Sequence, residues 1–301
     1  MKRTVLALGA VILIAVGSLG CGLTAKQKMA LADFSRSAAT VGEATSTEMQ
    51  VFRDKGIQAN TQILLLKGEP KVEGLPTLAS LDRGYELSRV QPVIRAAQAL
   101  AAYGKTMAAL TNDTQTDELK KASTDLVQSI GQLPETKGHL GQEQLDAFGT
   151  LIQDIGSLWV EHKRKQALVM LVDRFGPAVD KLCDRLIQDF SSGPSQARGW
   201  VYLQLQLSND LLEGSANYYF RSSSTYGERQ AALNAYLLTA DLRAHRDEVC
   251  SRISAAAAAM KKANATLMLG LHEDRPSSED LKALGEQAKS LKSAMDILDH
   301  H

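Results

Sequence analysis

Apolar residues recur along this chain at spacings of three and four, the pattern of a helix with one buried face. Leu31, Phe34, Ala38, Val41, Thr45, Met49 and Phe52 make the first such stripe. Gly68, Pro70, Gly74 and Pro76 then break the chain into a loop, after which a short helix is expected to about Arg89. Pro92 suits the first turn of the next helix, where its missing N–H costs no bond, and Val93, Ala97, Leu100, Met107 and Leu110 form its stripe. Asn112 to Thr116 reads as a polar turn. Leu119, Ala122, Leu126, Ile130 and Leu133 carry a further helix, closed by Pro134, Gly138 and Gly141.

The clearest stripe runs through Leu145, Phe148, Ile152, Ile155, Trp159, His162, Gln166 and Val169 and resumes with Val179, Leu182, Leu186 and Phe190 beyond Gly176-Pro177. It predicts one long helix kinked at the proline, or two stacked helices. Gly193-Pro194 marks a turn. Trp200, Leu203, Leu207, Leu211 and Tyr218 predict a returning helix, and Thr225 with Glu228 forms a capping box for the next. Leu238, Leu242, His245, Val249, Ile253, Ala256, Met260, Ala263, Leu267 and Leu271 hold one face from about Tyr226 to Leu271, roughly 70 Å of helix. Pro276 ends it, and Leu281, Leu284, Ala288, Leu291, Met295 and Leu298 give a final face. Short turns between long helices predict an all-α fold, an elongated antiparallel bundle with long coiled-coil-like helices. The segments Leu145 to Phe190 and Tyr226 to Leu271 are expected to pair as its spine. Composition agrees: 5% aromatic residues and 7 prolines favour helices over a twisted sheet.

The N-terminus carries a different pattern. Lys2 and Arg3 precede an apolar run from Val5 to Val16, followed by small residues, the layout of an export signal. The sequence Gly17-Ser18-Leu19-Gly20-Cys21-Gly22 resembles the lipobox of bacterial lipoproteins. That resemblance implies cleavage before Cys21, a diacylglycerol group on its thiol, and a mature chain anchored in the cell envelope facing the periplasm. Gly22 in place of Asp resembles the pattern that sends enterobacterial lipoproteins to the outer membrane. Two other readings stay open: Ser18 and Gly20 also suit ordinary signal peptidase, and the uncharged stretch between Arg3 and Lys26 is long enough to span a bilayer. The resulting division is a signal peptide over 1–20, lipid attachment site and first helix over 21–70, and a bundle over 71–301 that forms one domain with that helix.

Removing Lys2 and Arg3 from 34 basic residues leaves 32 against 34 acidic ones. A nucleic-acid binder needs a concentrated basic face, and the short clusters Lys120-Lys121, His162 to Lys165 and Lys261-Lys262 have acids nearby, so no nucleic-acid partner is expected. There is no phosphate loop, dinucleotide fingerprint, Gly-x-Ser-x-Gly elbow or His-Glu-x-x-His. Neither an enzymatic activity nor a cofactor is expected.

His162 and His245 fall inside apolar stripes, with Glu161 beside the first and Asp241 and Glu248 a turn either side of the second. A metal or proton-sensing pair between helices is one reading, a hydrogen-bonded core histidine the other; the Glu-x-x-His spacing of di-metal bundles is missing. For the tandem His300-His301 weak metal binding is one reading and a frayed, solvated tail the expected one. Cys183 and Cys250 are the thiols left once Cys21 is modified, an even count in an oxidising compartment, which makes a disulfide between them a candidate. Tyr218, Tyr219 and Phe220 sit at a helix end, either as an exposed tip or packed on the bundle. The leading expectation is an interaction or scaffold protein at the membrane surface with an unidentified protein partner. The alternatives are an immunity or exclusion factor that binds an external toxin or phage component, and a bundle carrying a ligand or metal between helices.

Overall fold

The computed structural model describes residues 25–67, 77–111, 116–131, 133, 142–157, 161–194, 197–222 and 225–273, with 279, 282, 283, 286 and 289 beyond. The signal segment 1–20, Cys21, Trp159 and His300-His301 lie outside the described residues, as do the apolar positions of the expected final helix face. The side chains of Leu145, Ile155 and His162 do as well. The described chain is helical throughout, with a single isolated bridge between Ser192 and Arg198. In order the elements are α1 (Ala25–Lys67), α2 (Leu78–Leu81), α3 (Leu87–Thr111), α4 (Thr116–Gly131), α5 (Gln142–Ser157), α6 (Glu161–Phe190), α7 (Trp200–Ser222), α8 (Tyr226–Ala244), a π-helical turn (His245–Val249) and α9 (Cys250–Glu273).

The first stripe is the interior of the protein: Leu31, Phe34, Ala38, Val41, Thr45, Met49 and Phe52 are all buried. α1 is 43 residues long, about 65 Å, and packs on α3, α7, α8 and α9. Its closest neighbour is α3, which runs antiparallel to it. A Cβ on Gly42 would lie 2.4 Å from the Ala101 nitrogen and the Ala97 carbonyl oxygen, and one on Gly104 would lie 2.5 Å from the Ala39 nitrogen. The two glycines let the backbones touch. The anticipated spine of α6 with α8 and α9 exists in part, as an antiparallel α6–α9 pair, but the α1–α3 pair is the more intimate one.

Three features differ from the expectation. α3 starts at Leu87 rather than Pro92, after a turn in which Gly84 takes φ +85°. The carbonyl that Pro92 cannot serve belongs to Ser88, an exposed residue whose backbone is open to water. α6 runs unbroken through Pro177, while α5 ends at Ser157 and α6 begins at Glu161. Within α6 the inward positions do not continue the stripe counted from Leu145. Gln166 is exposed and Val169 only half-buried, while Leu168, Leu171, Val172, Phe175, Val179, Leu182, Leu186 and Phe190 face inward.

The third difference concerns α7. The stripe of Trp200, Leu203, Leu207, Leu211 and Tyr218 lies largely on the outside, and the helix buries Val201, Tyr202, Leu205, Ser208, Asn209, Leu212 and Ala216 instead. This helix is apolar on two faces, and only contact with α1 and α8 decides which is covered. The final long helix follows the expected stripe from Leu238 to Leu271. The Thr225–Glu228 capping box is formed in both directions.

Candidate interaction surface

The buried polar groups come first, because they are the places where chemistry could reside. His245 opens the π-helical turn, and its Nε2 lies 2.6 Å from Oε2 of Glu48 on α1, both side chains almost wholly buried. Both atoms, together with His245 Nδ1 and Thr45 Oγ1 one turn earlier on α1, are buried without a hydrogen-bond partner. A π turn inserts one residue into the helical ladder and re-aims side chains around it. Here it places a histidine against a carboxylate 197 positions away in sequence. The local acids do other work: Asp241 meets Lys55 at 3.4 Å and Glu248 pairs with Arg252. Glu48 is therefore the contact of His245 that sequence inspection missed, since it stands as a lone acid on an apolar face of another helix.

A second network joins α3, α6 and α9. Asn264 is fully buried and well satisfied: it accepts from the Tyr103 hydroxyl (2.9 Å) and donates to the Gly176 carbonyl (3.3 Å) and to Asp180 (3.0 Å). Burial raises the pKa of Asp180, an effect that Asn264 and Lys261 oppose. Lys261 reaches Asp184 at 2.6 Å. These pairs fix the α6–α9 register, and the register separates the candidate sites. Cys183 stands level with about residue 262, so Cys250 is some 12 residues away along the axis, ~18 Å, far beyond the roughly 7 Å a disulfide tolerates between Cα atoms. Both thiols are free and buried, and desolvation raises the pKa of each. By the same register His162 and His245 stand about 55 Å apart. They do not form a pair. Among the described residues no group of three metal-ligating side chains occurs.

The surface is more informative. Nine of the twelve large hydrophobic side chains exposed among the described residues belong to α7 and α8: Leu203, Leu207, Leu211, Tyr218, Phe220, Tyr226, Leu233, Tyr236 and Leu237. Of the aromatic cluster, Tyr218 and Phe220 are exposed while Tyr219 is half-buried against the core, so the helix end is part exposed tip and part packing. Leu207 and Leu211 also wall a groove of about 640 Å³ against Ile63 and Leu64 of α1 and Leu81 of α2, rimmed by Arg83 and Arg89. Beneath it the Tyr85 hydroxyl donates to Ser208 (2.6 Å), and burial lifts the phenol to about 12.

Direction follows from contacts. Phe52 of α1 stacks edge-on with Trp200, and Asn60, Ile63 and Leu64 stand beside Gln204 to Leu211, so α1 and α7 run parallel. The α7–α8 tip therefore lies past the C-terminal end of α1, roughly 70 Å from Ala25. Comparison with protein families, with characterised proteins and with solved structures returns no match. No described helix is long and apolar enough to cross a membrane.

Proposed function

We propose that this chain is an interaction protein of the bacterial cell envelope, tethered through lipid on Cys21 and meeting a protein partner on the outward face of the α7–α8 hairpin. The observation that carries the reading is the concentration of exposed large apolar side chains on those two helices, since exposed apolar surface gathered in one region marks binding sites. Its position supports the same reading. A tether before Ala25 puts the hairpin tip at the far end of the rod, away from the anchoring membrane. The closed interior around His245, whose contact is Glu48, favours a scaffold over a ligand carrier.

Site-specific photo-cross-linking in intact envelopes tests the proposal. Probes replacing Tyr226 and Leu237 are expected to capture one protein species, whereas probes at exposed Glu118 and Lys120 on α4 capture none. Equal or absent capture at all four positions refutes the surface assignment. Cys21→Ser should move the chain to the soluble fraction or leave unprocessed precursor, and normal processing with unchanged mass and membrane retention refutes the anchor.

A further inference from the structure

The groove between α1, α2 and α7 holds more than an apolar wall. Ile63, Leu64 and Leu81 stand across it from Leu207 and Leu211, and its volume of about 640 Å³ falls within the roughly 300–1,000 Å³ of small-molecule sites. Some of its polar groups are already engaged. Asn60 donates to the Leu81 and Arg83 carbonyls (2.7 and 3.1 Å), and Ser80 donates to the Thr77 carbonyl (2.7 Å). Glu86 accepts the Gly84 N–H at 2.8 Å on Oε1, and its Oε2 is closed to solvent. The groups left over are donors. Among the described residues neither the Arg83 nor the Arg89 guanidinium is ion-paired or hydrogen-bonded. Arg89 lies over the Trp200 ring at 5.1 Å, a stack that holds the plane of the group and leaves its N–H edges open. The Gln204 amide stands against the turn at Gly84, whose positive φ and missing Cβ make the room: a Cβ there would lie 2.3 Å from Gln204 Nε2. Ser208 accepts from the Tyr85 hydroxyl, and its own proton has no acceptor among the described residues.

We infer that this groove binds an anionic amphiphile, with a carboxylate or phosphate head held by Arg83, Arg89, Gln204 and Ser208 and a single aliphatic tail laid along Leu207 and Leu211. The sign of the head follows from the donors. Four side chains of the lining offer N–H or O–H groups, and two guanidiniums against the one carboxylate of Glu86 leave a net positive charge. Guanidinium forks and hydroxyl donors match the oxygens of carboxylate and phosphate. The tail follows from the wall. Leu207 and Leu211 are each 52% exposed, and an aliphatic chain between them and α1 removes apolar surface from water on both of its sides. A wholly polar ligand would leave that wall wet, and a neutral one would leave the guanidiniums without a counter-charge. The groove opens on the surface, apart from the closed interior around His245. It does not depend on the protein partner proposed for the α7–α8 hairpin.

Photolabelling of the full chain in detergent-free phosphatidylcholine nanodiscs tests this, with dodecanoic acid carrying a diazirine at the tail end as the probe. Saturable labelling is expected at Leu207, Leu211 or the facing Ile63 and Leu64. Dodecanoate or dodecyl phosphate should compete, whichever supplies the preferred head, while dodecanol and inorganic phosphate should not. The double variant Arg83→Gln with Arg89→Gln should raise the half-saturating concentration about tenfold through loss of charge-assisted contacts. Leu211→Glu should abolish labelling. Both variants should keep the circular dichroism spectrum, because all three positions are exposed. Labelling that does not saturate, or that is equal at Tyr226 and Leu237, overturns the inference. So does equal competition by dodecanol, a result read on the unaltered protein and therefore independent of any effect of substitution on folding. Undiminished labelling in the arginine variant overturns it too. Each of these failures leaves capture of a protein partner at Tyr226 and Leu237 free to stand.

Discussion

Adding one methyl group to a helical glycine should have opposite signs at two kinds of position in this protein. At Gly149 in α5 a Cβ meets nothing within 4 Å, so Gly149→Ala should gain the helix-propensity difference, roughly 0.5–1 kcal/mol. At Gly42 the same methyl would stand 2.4 Å from two backbone atoms of α3, and at Gly104 2.5 Å from one of α1. Ordinary contact needs about 1 Å more, and the obstacle is backbone, so the helices themselves must part. A gap of that size forfeits a quarter to a half of the dispersion energy of each contact along the crossing, and overpacking of this kind costs about 1–3 kcal/mol. After subtracting the propensity gain, Gly42→Ala and Gly104→Ala should each lose about 1–2 kcal/mol. At roughly 2–4 °C per kcal/mol for a large domain, Tm should fall by ~2–8 °C in either variant and rise by ~1–4 °C in Gly149→Ala. The double variant should lose less than the sum, because helices already forced apart accommodate the second methyl. Calorimetric Tm values that rise for Gly42→Ala and Gly104→Ala would refute the close α1–α3 approach on which the fold rests.

The buried Glu48–His245 contact should behave as a coupled unit: Glu48→Leu or His245→Leu alone should destabilise by about 3–5 kcal/mol, and the double variant by less than either, a result that additive losses in chemical denaturation would contradict. Tyr85, with its phenol at about 12 in the fold against the ordinary 10.0 of a tyrosine in water, keeps its proton longer when folded, so the folded state binds more protons than the unfolded one between those values. Stability should fall as pH rises from about 10 to 12, by about 2–3 kcal/mol, and Tyr85→Phe should remove that part of the slope in denaturation curves taken across the range. Cys183 and Cys250 should resist thiol reagents in the folded protein and react fully in denaturant, with gel mobility independent of reductant; a reductant-dependent shift would mean that the register placing them apart is wrong. Asn264→Leu leaves the buried Tyr103 hydroxyl without its acceptor and should cost about 1–3 kcal/mol, whereas the exposed change Lys262→Ala should leave Tm within error.

Fold class, the approximate extent of most helices and the inward face of α1, α3 and α9 were legible in the sequence, because periodicity reports directly on which side of a helix is apolar. The capping box at Thr225 was legible for the same reason, being complete within four residues. What the sequence could not decide was any question with more than one local answer. α7 offers two apolar faces, and the contacts with α1 and α8 bury the one through Val201, Leu205 and Leu212, which turns Leu203, Leu207, Leu211 and Tyr218 into surface. Glycines at 42, 104 and 214 look alike in sequence, yet only the packing shows that the first two have a backbone against them and the third does not. His245 was singled out by its place in a stripe, but its contact, Glu48, comes from the far end of the chain and meets it through a π turn that no periodicity announces. Local pattern fixes a helix and its amphipathic face through contacts between residues three and four apart; which faces meet, and in which register, is set by contacts between residues far apart, and these exist only once the chain has packed.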